Sequence, residues 1–304
     1  MIIHQLALIK RELQEHRSIW ITPIAIAIIV TLSNLSALML AGEFAQHLDM
    51  AIFGAQNLAG DAGRKGILTA FFVGSSLLFL FALAVLTVFY ALDSLYAERK
   101  DKSILFWRSL PVTDAETVIS KFATAMVIIP AVAIAAILAT HLVNLVITSI
   151  WVSSKGGDAG VLIWGSVSLL DNWLAAIIGI YAIAVWMSPF LGWFMFVSAY
   201  TKRAPLLMAF MPLVLIPLLE RIFLSSNPFG KAVWGRFASI PLFSDIDVEA
   251  FFDEGRVASG EMISLLASLD LAKFVTSLDT WVGIIVCGML ITGAIYVRRF
   301  RGES

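Results

Sequence analysis

The chain has 304 residues, of which 60% are hydrophobic and 14% charged, and its mean hydropathy is +0.90. Soluble domains carry about 25% charged residues, so this composition excludes an ordinary soluble protein and indicates an integral membrane one. A formal net charge of -1 offers no field for nucleic acid, and a single cysteine, Cys287, excludes an intrachain disulfide or a cysteine-based metal site.

At the start, Ile2, Ile3, Leu6, Ile9 and Leu13 recur at helical spacing, while Gln5, Lys10, Glu12 and Gln14 take the other positions. This pattern predicts a helix over 1–17 lying in the membrane interface. A transmembrane helix needs about 20 mainly apolar residues, and six segments qualify: Ile19–Ala41, Ile67–Leu92, Phe122–Trp151, Trp173–Tyr200, Pro205–Leu224 and Val275–Val297. The first is too long for a signal-peptide core and no small-residue cleavage site follows it, so it reads as a retained span. Trp20, Trp151, Trp173 and Trp281 fall near span ends, where an indole prefers the headgroup level.

Lysine and arginine set the orientation. Lys10, Arg11 and Arg17, then Arg99, Lys100, Lys102, Arg108 and Lys121, then Lys202 and Arg203, and last Arg298, Arg299 and Arg301 fall on one side. That side is expected to be the cytoplasm, with both termini there and the chain in the cell's inner membrane. On the other side lie a moderately polar loop over 42–66, the turn-rich 153–158, and the largest extramembrane piece, 225–274, whose aromatics and acids suggest short helices resting on the membrane or dipping into it. No internal repeat is visible, so 1–304 reads as one domain.

The most informative stretch is the polar connection over 93–121. Ile104, Leu105, Trp107 and Leu110 make an apolar side of a short helix, Lys102 and Arg108 lie elsewhere on it, and Pro111 stops it. Thr113-Asp114-Ala115-Glu116 has the form of a capping box, which starts a new helix running into the third span.

The order Glu98-Arg99, Ser103-Ile104-Leu105, Leu110-Pro111-Val112 and Ser120-Lys121, together with the interfacial helix, six spans and inward termini, resembles the permease subunits of ABC type-2 transporters. Two departures from the commoner family form stand out: Lys102-Ser103 replaces a Gly-Thr, and the loop carries Phe106-Trp107. The resemblance implies an all-α type V exporter permease fold and a coupling loop that docks in a groove of an ATPase subunit. It also implies a homodimer or heterodimer of permeases with two ATPase copies, and export of cargo across the bilayer. On that basis Ile104, Leu105, Trp107 and Leu110 are candidate packing residues, Glu98, Arg99, Lys102 and Arg108 candidate polar contacts, and Pro111 belongs to the same ATPase-coupling set; the alternative is a solvated loop whose cations merely obey topology.

No G-x-x-x-x-G-K-[ST] phosphate loop is present, so ATP and Mg2+ are expected on the partner, with no cofactor in this chain. His4, His16, His47 and His141 are isolated from any H-E-x-x-H pattern or nucleophile, and neither catalysis nor a metal site is expected. Within the spans, Asn34, His141, Asn144 and Thr148 are candidates for a translocation path, with interhelical hydrogen bonding as the alternative. A lining of scattered hydroxyls and amides among apolar groups points to an amphipathic cargo. A membrane anchor that recruits an ATPase without moving cargo is the rival reading, and an ion-driven transporter is disfavoured because Asp93 and Glu220 lie near span ends.

Overall fold

The computed structural model describes residues 2–39, 58–102, 112–244 and 264–301, and every regular element among them is helical. Six helical stretches there are long and apolar enough to cross a membrane: Ser18–Met39, Leu68–Lys100, Asp114–Ser154, Leu169–Trp186, Pro205–Phe223 and Leu278–Phe300. They correspond one for one to the six predicted spans. Their large outward side chains, such as Ile29, Phe81, Leu207 and Ile285, are apolar and exposed, as a lipid-facing surface requires.

Helix α1 (Ile2–Glu15) breaks at His16 and Arg17 before α2 (Ser18–Met39). Sequence periodicity placed Glu12 on the polar side of α1, but in the structure Glu12 is buried, as is Leu8. Helix α3 (Leu58–Ser94) is 37 residues long, about 55 Å at 1.5 Å per residue, and so begins well before the predicted Ile67. It therefore takes up the end of the 42–66 loop; residues 40–57 lie outside the described residues. After a break at Leu95 the chain continues as α4 (Tyr96–Lys100).

The third span is α5 (Asp114–Ala123), a π-helical turn over Thr124–Ile128, and α6 (Ile129–Ser154). Pro130 follows that turn and supplies no amide, so the wider turn accommodates its ring, and the Tyr181 hydroxyl donates to the carbonyl of Val127 at 3.3 Å. The predicted fourth span, Trp173–Tyr200, is two helices, α7 (Leu169–Trp186) and α8 (Ser188–Tyr200), parted at Met187 ahead of Pro189. Helix α9 (Pro205–Phe223) is followed by α10 (Pro228–Ala238), α11 (Leu271–Thr276) and α12 (Leu278–Arg301).

Of the outer piece, α10 reaches into the bundle. Phe237 meets Phe190 at 5.0 Å between ring centroids, beside the α7–α8 break. Arg236 donates to the carbonyl of Trp186 at 2.7 Å and to that of Asp279, while the Trp186 indole donates back to the Arg236 carbonyl at 2.8 Å. Burial pushes the Arg236 guanidinium below its ordinary range, and nearby Asp279 acts in the opposite direction. Glu220 accepts the amides of Phe229 at 3.0 Å and Gly230 at 3.3 Å, holding the start of α10.

The main core lies where α8 packs along α12, with Leu191, Phe194, Met195, Cys287, Ile291 and Ala294 among its buried members. Gly192 permits the approach: a Cβ there would meet the Cα and carbonyl oxygen of Cys287 at 3.2 Å. Gly192→Val should therefore lower stability by about 1–3 kcal/mol through overpacking, read as a lower thermal unfolding midpoint in detergent. Gly288, with nothing within 4 Å of a built Cβ, should tolerate alanine with a change of at most about 0.5 kcal/mol.

Candidate functional site

The stems of the polar connection, α4 on one side and α5 on the other, meet in a buried cluster of charges at the basic end of the bundle. Glu98 is 5% exposed. Its Oε2 accepts from Arg298 Nη1 at 2.6 Å, and its Oε1 lies 3.2 Å from Lys121 Nζ and 3.4 Å from Arg11 Nη2. The Arg298 Nε donates to Asp114 Oδ1 at 2.9 Å, so one guanidinium from α12 grips the last turn before the connection and the first turn after it.

Glu12 extends the cluster to α1. Lys121 Nζ donates to its Oε1 at 2.7 Å and the Tyr90 hydroxyl to its Oε2 at 2.8 Å, while the His16 ring stands edge-on to Tyr90 at 4.9 Å. Arg11 closes the rim through Glu15 at 2.7 Å. Three cations, Arg11, Lys121 and Arg298, thus meet three carboxylates, Glu12, Glu98 and Asp114, drawn from α1, α4, α5 and α12. Buried charge is tolerated only when it is paired and hydrogen-bonded, so none of these helices can leave the cluster without stranding a charge.

Arg99 points the other way. Its Nη2 donates to the carbonyls of Ser198 at 2.6 Å and Thr201 at 2.7 Å. The Ser198 hydroxyl in turn accepts the amides of Leu95 and Tyr96 at 3.1 and 3.0 Å, filling the break between α3 and α4. The Glu98-Arg99 pair therefore ties α4 to α1, α5 and α12 through one residue and to the end of α8 through the other.

The capping box forms as the sequence indicated: Thr113 Oγ1 accepts the Glu116 amide at 3.1 Å and Glu116 Oε2 accepts the Thr113 amide at 2.9 Å. Lys102 closes α4 with φ of 57°, the left-handed region that a glycine adopts without cost. Ser103 to Pro111, and with them Ile104, Leu105, Trp107, Arg108, Leu110 and Pro111, lie outside the described residues.

The intramembrane candidates sit on α6 and α2 but turn to different neighbours. His141 Nε2 is 3.1 Å from Ser75 Oγ on α3. Asn144 donates to the Thr140 carbonyl at 2.8 Å and across to Thr31 Oγ1 on α2 at 3.2 Å, and Thr148 donates to the Asn144 carbonyl at 2.9 Å. Asn34 is half-buried on α2, with no hydrogen-bond partner for its amide nitrogen. Sequence reasoning missed Glu12, Tyr90 and Ser198 as parts of the site and took Lys121, Asp114 and Arg298 for a motif match, a cap and a topology signal. A lone charge on an otherwise apolar helix face is the available hint, but the partners of Arg298 lie 184 and 200 positions away.

A family model described as ABC-2 family transporter protein matches residues 66–227, more than half of the chain, and the match includes both stems of the polar connection and the α7–α8 break. No curated protein and no solved structure matches the chain.

Removing one partner of a buried ion pair costs about 3–5 kcal/mol. Arg298→Gln and Glu98→Gln are each expected to lose that much, read by denaturant or thermal unfolding of the purified chain. The double variant should lose clearly less than the sum, and Arg298→Lys, which keeps the charge but not the fork, should fall between.

Proposed function

Since the chain belongs to the ABC-2 family of transporter proteins, we propose that it is the permease subunit of an ATP-binding-cassette exporter, driven by ATP that a separate ATPase subunit hydrolyses. Two permease protomers, as a homodimer, stand over two ATPase copies in the inner membrane, with the basic end and both termini in the cytoplasm. The cargo is amphipathic and leaves the cytoplasm.

The observation that supports this reading is the cluster at the stems of the polar connection. A docking loop transmits motion only if its two ends are fixed to the spans, and here both ends are held by Arg298. Pressure on 103–111 reaches α12 through Arg298, α8 through Arg99 and α1 through Glu12. This divides the work among the residues of the connection. Lys102, Ile104, Leu105, Trp107, Arg108, Leu110 and Pro111 make the docking surface, whereas Glu98 and Arg99 face inward and carry the displacement to the bundle. ATP and Mg2+ stay on the ATPase, whose nucleotide site closes and supplies the push.

Co-purification of the chain with its ATPase, followed by reconstitution, tests this assignment. Trp107→Ala should weaken ATPase binding by about tenfold or more, as loss of an aromatic interface anchor does, and Arg108→Glu should abolish coupled hydrolysis and cargo movement. A complex that keeps full activity with both changes contradicts the docking assignment; an ATPase that binds while nothing crosses the bilayer identifies an anchor instead of a permease.

A further inference from the structure

Between α3, α6, α7 and the side chains of Phe243, Leu265 and Leu269 lies a cavity of about 180 Å3. Most of its wall is apolar, including Phe72, Leu80, Ile180 and Phe243, and no Asp, Glu, Lys or Arg among the described residues lines it. Three polar side chains, Ser76, His141 and Asn172, complete the wall. His141 and Asn172 are 1% and 7% exposed, and each keeps one buried polar atom with no partner: Nδ1 of His141 and Oδ1 of Asn172.

One self-consistent assignment of the surrounding hydrogen bonds gives those two atoms their roles. Ser75 has one hydroxyl hydrogen, and it goes to the carbonyl of Phe72 at 3.1 Å. Its oxygen can then only accept from the imidazole 3.1 Å away, which puts the ring hydrogen on Nε2 of His141. The Nδ1 of His141 is left as a bare acceptor, in a tautomer assigned from the network. Asn172 spends its amide nitrogen on the Ser168 carbonyl at 3.0 Å, and its oxygen is the second bare acceptor. Other buried atoms in the protein also lack partners, but these two share one cavity.

An unpaired buried acceptor is costly, and an apolar cavity of about 150 Å3 is large enough for a benzene ring. We infer that this cavity is a binding site for a small neutral molecule, or the end of a larger one, with an apolar body and a hydroxyl or N–H group that donates to His141 and Asn172. A charged head is disfavoured, since nothing in the wall would neutralise it. Apolar contact supplies affinity and the two acceptors select for the donor.

The test uses the full-length chain in phosphatidylcholine nanodiscs and two photolabels, a short alkyl alcohol carrying a diazirine and its methyl ether, which has the same body without the donor. The alcohol should label the peptides spanning Phe72–Leu80 and Asn172–Ile183 about three- to tenfold more strongly than the ether, the value of a net hydrogen bond or two. Asn172→Leu and His141→Phe should each reduce that preference, and Ala176→Trp, which fills the cavity, should remove labelling of these peptides by both probes. Equal labelling by alcohol and ether in the unaltered chain overturns the proposal, as does labelling that Ala176→Trp leaves intact or an absence of labelling in these peptides. No ATPase is involved, so failure here leaves the permease reading standing. Repeating the labelling in the ATPase complex distinguishes the source of the ligand: a cargo site changes its labelling with ATP, a site for a bilayer component does not, and both results retain the site.

Discussion

A charge taken out of water must find its counter-charge inside the protein, and at the basic end of this bundle that requirement governs how the helices are assembled. Glu98, Glu12, Lys121 and Arg298 are all nearly inaccessible, and their desolvation is compensated by the ion pairs and hydrogen bonds they make with one another and with Arg11, Tyr90 and Asp114. Residues near both ends of the chain and in its middle are thereby committed to one point. Apolar packing alone is poorly suited to this, because in lipid one Leu-covered helix face is nearly as good as another. Directional ion pairs between Arg298, Glu98 and Asp114 specify which helix ends belong together.

From that point outward, the long helices are interrupted where the chemistry of the chain demands it. Pro130 follows the π-turn in the third span and Pro189 follows the break in the fourth. The break at Met187 lets α10 pack against Trp186 and Phe190. A bundle made this way has stiff connections at one end, where the charge cluster joins α1, α4, α5 and α12 and Arg99 ties α4 to the end of α8, and a cavity between α3, α6 and α7 nearer the other. Under the proposed function that is a useful division: displacement would enter at the rigid end and a ligand would be accommodated elsewhere.

Much of this was legible in the sequence, for reasons that can be stated residue by residue. Spans are visible because lipid demands continuous apolar runs, and Thr113 and Glu116 announce a helix start because the cap is local, complete within four positions. Where the pattern misled, the deciding interaction was distant. Glu12 looked like a solvent-facing residue of an interfacial helix until Lys121 and Tyr90 were seen to meet it. Glu98 and Arg99 looked like exposed docking contacts, but their inward turn depends on Arg298 and on the carbonyls at the end of α8. Periodicity reports which face of a helix is apolar; it carries no information on a buried polar pair formed between residues 78 to 200 positions apart.

The central claim is that the stems of the polar connection and the end of α12 move as one body. Spin labels at Thr113 and Arg299, in a chain whose single cysteine has been changed by Cys287→Ala, report the distance between them by pulsed electron resonance in the ATPase complex, with and without ATP. The account predicts one narrow distance in both states, and a broad distribution in both when Arg298→Gln is added. A separation that shifts on ATP binding in the otherwise unaltered chain would show the stems sliding past α12, and would contradict it.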